Sequence, residues 1–275
     1  MPKKRVGLIG CGTIGSQLAL AIDSGKMPNA SIVSLFDVVA ENAETLQKKL
    51  SHSVQLCYES ERFLKSEIDL VVEAASQQAV KNYAKPAAVA RKDIMIMSVG
   101  ALADPSFLAD LLAAAHKSGS KVYIPTGAIA GIDAIRSAKD SIQTITLTTT
   151  KSPKALAGAL FFEKNKMKPE EIKKRTVIYS GPASDAVRLF PANVNVAAVL
   201  SLAGIGPEKT LVRIIADPDA TTNRHQILAK GAFGEIRISV NNVPTPGNPK
   251  TSYLAVLSAI ECIRSICDDS VRIGS

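Results

Sequence analysis

Lys4-Arg5-Val6-Gly7-Leu8-Ile9 is an apolar run of strand length that passes directly into Gly10-Cys11-Gly12-Thr13-Ile14-Gly15. A buried strand, a G-x-G-x-x-G turn and a helix in that order leave few folds open. In a dinucleotide site the first glycine makes the tight turn, the second lets backbone approach the pyrophosphate, and the third lets helix and strand pack closely. The phosphates then rest on the amides of the helix N-terminus. The next apolar run, Ile32-Val33-Ser34-Leu35-Phe36, ends in Asp37, about where a carboxylate should meet a ribose hydroxyl. Gly10, Gly12, Thr13, Ile14, Gly15 and Asp37 are therefore expected to bind NAD. The plainer reading is a tight strand-to-helix turn with Asp37 a solvated strand end. Val38-Val39-Ala40 brings no arginine for a 2′-phosphate, so NAD is expected in preference to NADP, with NADP as the alternative.

Lys3-Lys4-Arg5 ahead of Leu8-Ile9-Gly10-Cys11 superficially resembles a lipoprotein signal. Only Val6 to Gly10 separates the charges from Cys11, far short of the apolar core that such a signal needs. No later run reaches the roughly 18 apolar residues of a membrane span, so a soluble, uncleaved chain without membrane contact is expected. The four cysteines, Cys11, Cys57, Cys262 and Cys267, show neither metal-ligand pairing nor disulfide-like density. They fit a reducing cytoplasm, and no metal is expected. A net charge of +8 raises the question of nucleic acid. The basic residues are spread out, and the densest run, Lys164 to Arg175, contains glutamates and almost no aromatics. A solvated helix is the better reading of it, so no nucleic-acid partner is expected.

Strand and helix patterns alternate through the first half, the mark of an α/β chain with a parallel sheet under helices. Strands are expected at Asp69–Ala75, Ile94–Gly100 and Lys121–Pro125, with helices at Ile14–Ser24, Glu41–Leu50, Ala79–Arg91 and Pro105–Ser118. In open parallel sheets ligands bind beyond the carboxyl ends of the strands. Ala74, Ala75, Ser98 and Val99 are thereby placed against the cofactor.

The pattern changes after Thr126. Strands are expected at Ile142–Thr150, Thr176–Tyr179, Leu211–Ile215 and Glu235–Val240, interrupted by one long helix, Asn193–Ala203. Asn241 to Pro249 carries three prolines and a glycine and reads as an irregular crossing. After it Tyr253, Val256, Leu257, Ile260, Ile263 and Cys267 fall at helical spacing, so this helix should pack one apolar stripe, on the first domain. The expected division is 1–126 for dinucleotide binding, 127–245 for an α+β domain carrying substrate, and 246–275 for the returning helix.

There are three histidines. His52 and His116 lie in polar surroundings and are read as surface residues. His225 lies on Asp217 to His225, a polar connection leaving a buried strand, where site residues collect. A histidine there can exchange a proton near neutral pH, with a structural role equally open.

Five blocks then make the sequence specific: Pro125 to Ala134, Leu189-Phe190-Pro191-Ala192-Asn193-Val194-Asn195-Val196-Ala197-Ala198, Ile215 to Pro218, Asn223-Arg224-His225, and Asn248-Pro249-Lys250-Thr251-Ser252. In order and extent they resemble the L-aspartate dehydrogenase family. The resemblance implies a Rossmann dinucleotide-binding domain, an inserted α+β catalytic domain and a C-terminal helix returning to the first. It implies oxidative deamination of L-aspartate to iminoaspartate, followed by hydrolysis to oxaloacetate and ammonia or transfer to quinolinate synthesis, with quinolinate synthase as a candidate partner. It also implies a homodimer, the commonest soluble assembly. On this resemblance the catalytic histidine is His225, the cofactor-contacting alanine is Ala128 or Ala130, and the asparagine is Asn195 or Asn193. The family's Thr-Arg-Lys-Pro-Pro is here Thr150-Lys151-Ser152-Pro153-Lys154, so the basic constellation differs. Asn193, Asn223 and Lys151 are expected to bind substrate, Lys151 through a carboxylate; a solvated strand-end lysine is the competing reading.

Two other readings stand beside this one. One is a related small-domain dehydrogenase of the homoserine dehydrogenase or dihydrodipicolinate reductase type, against the latter of which the chain has no adjacent His-His pair. The other is a non-catalytic NAD-binding regulator, since a cofactor fingerprint does not prove turnover.

Overall fold

The structure, a computed structural model, describes residues 3–191, 195–245, 248–268 and 270. Asn193 lies outside them. The chain divides into two compact units, one made of the residues up to Pro125 with the helical segment from Val256, the other of Thr126–Ala255.

The first unit alternates strand and helix: β1 (Lys4–Ile9), α1 (Thr13–Asp23), β2 (Ala30–Phe36), α2 (Ala40–Gln47), β3 (Gln55–Cys57), α3 (Ser60–Lys65), β4 (Leu70–Glu73), α4 (Gln77–Val89), β5 (Asp93–Ile96), α5 (Pro105–Ser118) and β6 (Val122–Tyr123). The strands form one six-stranded sheet in the order β3-β2-β1-β4-β5-β6. Every pairing in it is parallel. This is the Rossmann-like α/β arrangement, with the strand order reversing at β1. β4 reads Leu-Val-Val-Glu and is buried at every position, as a parallel strand covered on both faces must be. Helix α5 keeps the bounds its residues imply. Asp104 caps it by accepting from the Ser106 and Phe107 amides, Pro105 opens the first turn, and Gly119 closes it at φ 78°.

The expected strand Ile94–Gly100 is shorter. It ends at Ile96, and Val99–Ala103 winds into a 3-10 turn. The short elements β3 and α3 were not expected.

The second unit contains α6 (Ile132–Ala138), β7 (Ile142–Lys151), α7 (Pro153–Leu156), α8 (Leu160–Lys164), β8 (Thr176–Pro182), α9 (Ala183–Leu189), α10 (Asn195–Ala203), β9 (Thr210–Ala216), β10 (Asn223–Gly231), β11 (Gly234–Asn242), β12 (Pro244–Thr245) and β13 (Asn248–Ser252). Five strands make a mixed sheet in the order β11-β10-β7-β9-β8. The pairs β10–β11, β10–β7 and β8–β9 are antiparallel and β7–β9 is parallel. Ile145, Leu147, Ile214, Ile227 and Ala229 are buried in this sheet, and Val196 to Leu200 are buried in α10. The expected irregular crossing is partly ordered: Pro244–Thr245 pairs antiparallel with Asn248–Ser252.

α11 (Tyr253–Cys267) ends the described fold. Its apolar stripe is Val256, Ala259 and Ile263, buried in one cluster with Val6, Leu8 and Leu70 of the first unit's sheet. Tyr253 and Leu257, expected in that stripe, are 38% and 42% exposed.

Candidate active site

The turn after β1 has the geometry of a pyrophosphate cradle. Gly10 sits at φ +94°, and a Cβ there would meet the Ala75 Cβ at 2.7 Å. At Gly15 a Cβ would lie 1.8 Å from the Gly10 carbonyl oxygen, so only glycine lets α1 pack this close. Gly12 differs: a Cβ would find nothing within 4 Å, so its backbone faces open space. Gly12 is also the N-cap of α1 and offers no side-chain cap, which leaves the amides around Thr13 and Ile14 to a ligand. These residues fit a dinucleotide.

Asp37 follows β2 and is held in place. Its Oδ2 accepts from the Cys11 amide at 2.7 Å and its Oδ1 from the Val39 amide at 2.9 Å. The carboxylate is thereby oriented by the glycine turn itself. A cavity of about 190 Å³ opens beside it, lined by Gly10, Asp37, Val38, Ala75, Asn82 and Tyr83 among others. Of the remaining first-unit candidates, Ala74 and Ser98 are half-buried, and Val99 is buried as the first residue of the 3-10 turn.

Glu73 was missed. It closes β4, is 1% exposed, and gathers the Ala75, Ser76 and Ser98 amides together with the Ser98 hydroxyl. The available signal was a carboxylate ending an otherwise apolar strand.

In the second unit His225 is not on a polar connection. It is the third residue of β10, 2% exposed, registered opposite Thr149 on one side and Val240 on the other. Alternation along strands puts Thr149 and Lys151 of β7, and Asn223 and His225 of β10, on the same face. All four are buried, at 4%, 4%, 3% and 2% exposure. His225 Nδ1 and Thr149 Oγ1 are 3.0 Å apart, which fixes the ring and leaves Nε2 for other work. Asn223 Nδ2 donates to Ser252 Oγ at 3.3 Å, and Asn242 Nδ2 donates to the Ala128 carbonyl at 2.9 Å. Ala130 is exposed in the adjoining bend, and Asn195 opens α10. Lys151 is not the solvated strand-end lysine of the competing reading.

Burial sets the electrostatics of this face. Desolvation brings the Lys151 ammonium down to about 8. Desolvation first, and the neighbouring Lys151 charge second, bring the His225 imidazole down to about 3. The imidazole is therefore neutral at physiological pH. His52 and His116 are exposed, as expected. A larger groove of about 620 Å³ lies on the opposite face of the sheet, lined by Thr146, Thr148, Arg213, Gln226, Arg237 and Ser239 among others, and takes no part in this cluster. Among the described residues no group of three or more His, Cys, Asp or Glu side chains could hold a metal ion. Among them, too, no helix is long and apolar enough to cross a membrane.

The family model described as aspartate dehydrogenase, C-terminal, matches residues 133–266. That described as homoserine dehydrogenase, NAD binding domain, matches residues 10–125. An L-aspartate dehydrogenase of Nitrosopumilus maritimus is 47% identical over 272 residues, covering 99% of this chain and 100% of the relative. The chain belongs to the L-aspartate dehydrogenase family. A second L-aspartate dehydrogenase, from Methanosarcina mazei, is 46% identical over 98% of this chain and 99% of its own length. The crystal structure of aspartate dehydrogenase from Thermotoga maritima superposes with a TM-score of 0.75 at 27% identity, covering 98% of this chain and 99% of that one. Membership makes this chain an oxidoreductase with a nicotinamide dinucleotide-binding domain. The family-model likeness to homoserine dehydrogenase covers the dinucleotide half alone.

Proposed function

We propose that the protein oxidatively deaminates L-aspartate to iminoaspartate, which water converts to oxaloacetate and ammonia. The observation that carries this reading is the 47% identity to an L-aspartate dehydrogenase along 99% of the chain. NAD is the preferred cofactor: Asp37 offers its carboxylate to a ribose, and Val38, 80% exposed, follows it in place of a cation for a 2′-phosphate. In this assignment residues 1–126 bind the dinucleotide and 127–245 carry substrate, with Ala128, Ala130 and Asn195 contributing cofactor contacts. Bound NAD supplies the acceptor for the hydride that leaves the substrate α-carbon.

The protein's own groups prepare that step. Lys151, Asn223 and Asn193 hold the two substrate carboxylates. The substrate ammonium must lose a proton before its nitrogen lone pair can expel the α-hydride, and His225 Nε2 takes that proton. An imidazole near 3 is a poor base. Arrival of a dicarboxylate corrects this, because a carboxylate within hydrogen-bonding reach typically raises such a pKa by about 1–3 and a second one offsets the charge of Lys151. The substrate thus assembles its own base. Once His225 has released that proton to solvent, its neutral imidazole takes one from the water that adds to the imine carbon.

In this reading the enzyme acts in the cytoplasm as a homodimer, and iminoaspartate that escapes hydrolysis is the species a quinolinate synthase partner would take. Absorbance at the NADH band with L-aspartate, L-homoserine and dihydrodipicolinate in parallel tests the core of the reading. Turnover of L-aspartate alone is expected, and turnover of either other substrate with none of aspartate overturns it.

A further inference from the structure

At the carboxyl end of β4 one buried carboxyl group ties two loops together. Glu73 Oε1 accepts from the Ala75 amide at 2.8 Å, the Ser76 amide at 2.9 Å and the Ser98 hydroxyl at 2.9 Å. Oε2 accepts from the Ser98 amide at 3.0 Å. Ala75 and Ser76 lead into α4, whose N-cap is Ser76, while Ser98 follows β5 and immediately precedes the 3-10 turn. Desolvation pushes this carboxyl above its ordinary range, and the four donors oppose that rise without cancelling it. Four hydrogens aimed at one carboxyl group match the acceptor-only inventory of the ionised form.

The sheet topology says what lies above it. A dinucleotide straddles the switch point, with its pyrophosphate at the β1 turn and its adenosine ribose at the acidic residue after β2. In the order β3-β2-β1-β4-β5-β6 the ends of β4 and β5 lie on the other side of β1. That side is left to the nicotinamide half. We propose that Glu73 is a positioning residue for the nicotinamide: it fixes the two loops beneath it, and its buried negative charge favours the oxidised, cationic ring over the neutral reduced ring. The inference rests on dinucleotide binding by the first unit. It adds a residue outside the glycine turn and a preference between redox forms.

The test is equilibrium binding, read apart from turnover. The chain has no tryptophan, so the fluorescence of bound NADH is free of transfer from indole, and NAD⁺ is measured by displacing NADH. Wild type that binds neither form would remove the dinucleotide reading itself. Given wild-type binding, Glu73→Gln should weaken both forms and raise the ratio of Kd for NAD⁺ to Kd for NADH by roughly fivefold or more, the scale of one charge acting through a protein interior. Glu73→Asp keeps the charge on a shorter arm, so both affinities should fall with the ratio unchanged. A folded Glu73→Gln protein with the wild-type ratio overturns the electrostatic role. If Glu73→Gln does not fold, Ser98→Ala removes one of the four donors, the hydroxyl, and keeps the Ser98 amide. It should weaken both forms equally, and wild-type affinity for both would overturn the positioning role.

Discussion

Replacing His225 by Gln tests whether the imidazole is held neutral inside the sheet. In the unfolded chain a histidine titrates near 6.5, whereas in the folded protein burial and Lys151 bring His225 to about 3. Its folded pKa is depressed and it is a base, so between those two values the unfolded chain binds a proton that the folded protein refuses. Stability therefore falls as pH drops through 6.5 towards 3. From pH 7 to pH 5 this one group should cost wild type about 2 kcal/mol, at 1.36 kcal/mol per pH unit once the unfolded form titrates. Glutamine has no such proton and should lack that part of the slope. Urea unfolding followed by far-UV circular dichroism at the two pH values measures the difference. If the two units unfold in separate transitions, the effect belongs to the one carrying β10. Equal pH dependence in wild type and variant would refute the reasoning, since His225 would then titrate as an ordinary histidine. The same variant should lose about 10²- to 10⁴-fold in kcat, the usual contribution of a general base.

Gly15→Ala should abolish NADH binding and cost more than about 4 kcal/mol in thermal or urea unfolding, because the added Cβ would stand 1.8 Å from the Gly10 oxygen and α1 must move. Asp37→Ala, which removes the acceptor for the Cys11 and Val39 amides, should weaken NADH about tenfold and narrow the preference for NAD over NADP; a wild type that already favours NADP would contradict the role. Light scattering at micromolar concentration should give twice the 29.0 kDa of one chain, and a monomer mass would refute the homodimer.

The first unit was legible because its signals are local. The glycine turn is dictated by contacts within β1, α1 and the β4 loop, and α5 is bounded by an Asp-Pro start and a glycine stop that work at short range. β10 was hidden for the opposite reason. Its buried face begins Asn223, His225, so the apolar half of the alternation starts only at Ile227 and the first residues read as loop. The polar face exists because Thr149, Asn242 and Ser252, distant in sequence, meet it. Glu73 was obscured similarly. Its partners lie on two loops, and Ser98 is 25 residues away. The expected strand through Gly100 concealed the turn that brings Ser98 to it. Lys151 stood in the sequence as carboxylate ligand or solvated lysine, and burial removes only the second.

Lys151 joins stability to function, and Lys151→Met separates them. The ammonium is 4% exposed and desolvation brings it to about 8, below its ordinary 10.5. An unfolded chain keeps that lysine protonated up to about 10.5, so between 8 and 10.5 the unfolded state binds the additional proton and stability rises with pH. Below 8 both states carry the charge, and the folded protein holds it out of water. Methionine has similar length and no charge, so at pH 7 the variant should be more stable by roughly 1–3 kcal/mol, and its advantage should shrink as pH rises past 8. It should also raise KM for L-aspartate, since a carboxylate loses its cation, and lift the pKa of His225, since the neighbouring charge is gone. A variant that is less stable at pH 7 would mean that Lys151 is held by structural contacts outweighing its desolvation. One that is more stable with unchanged KM would remove it from substrate binding. The expected combination, a gain in stability with a loss of affinity, is what a site kept polar for its chemistry at the expense of its packing should show.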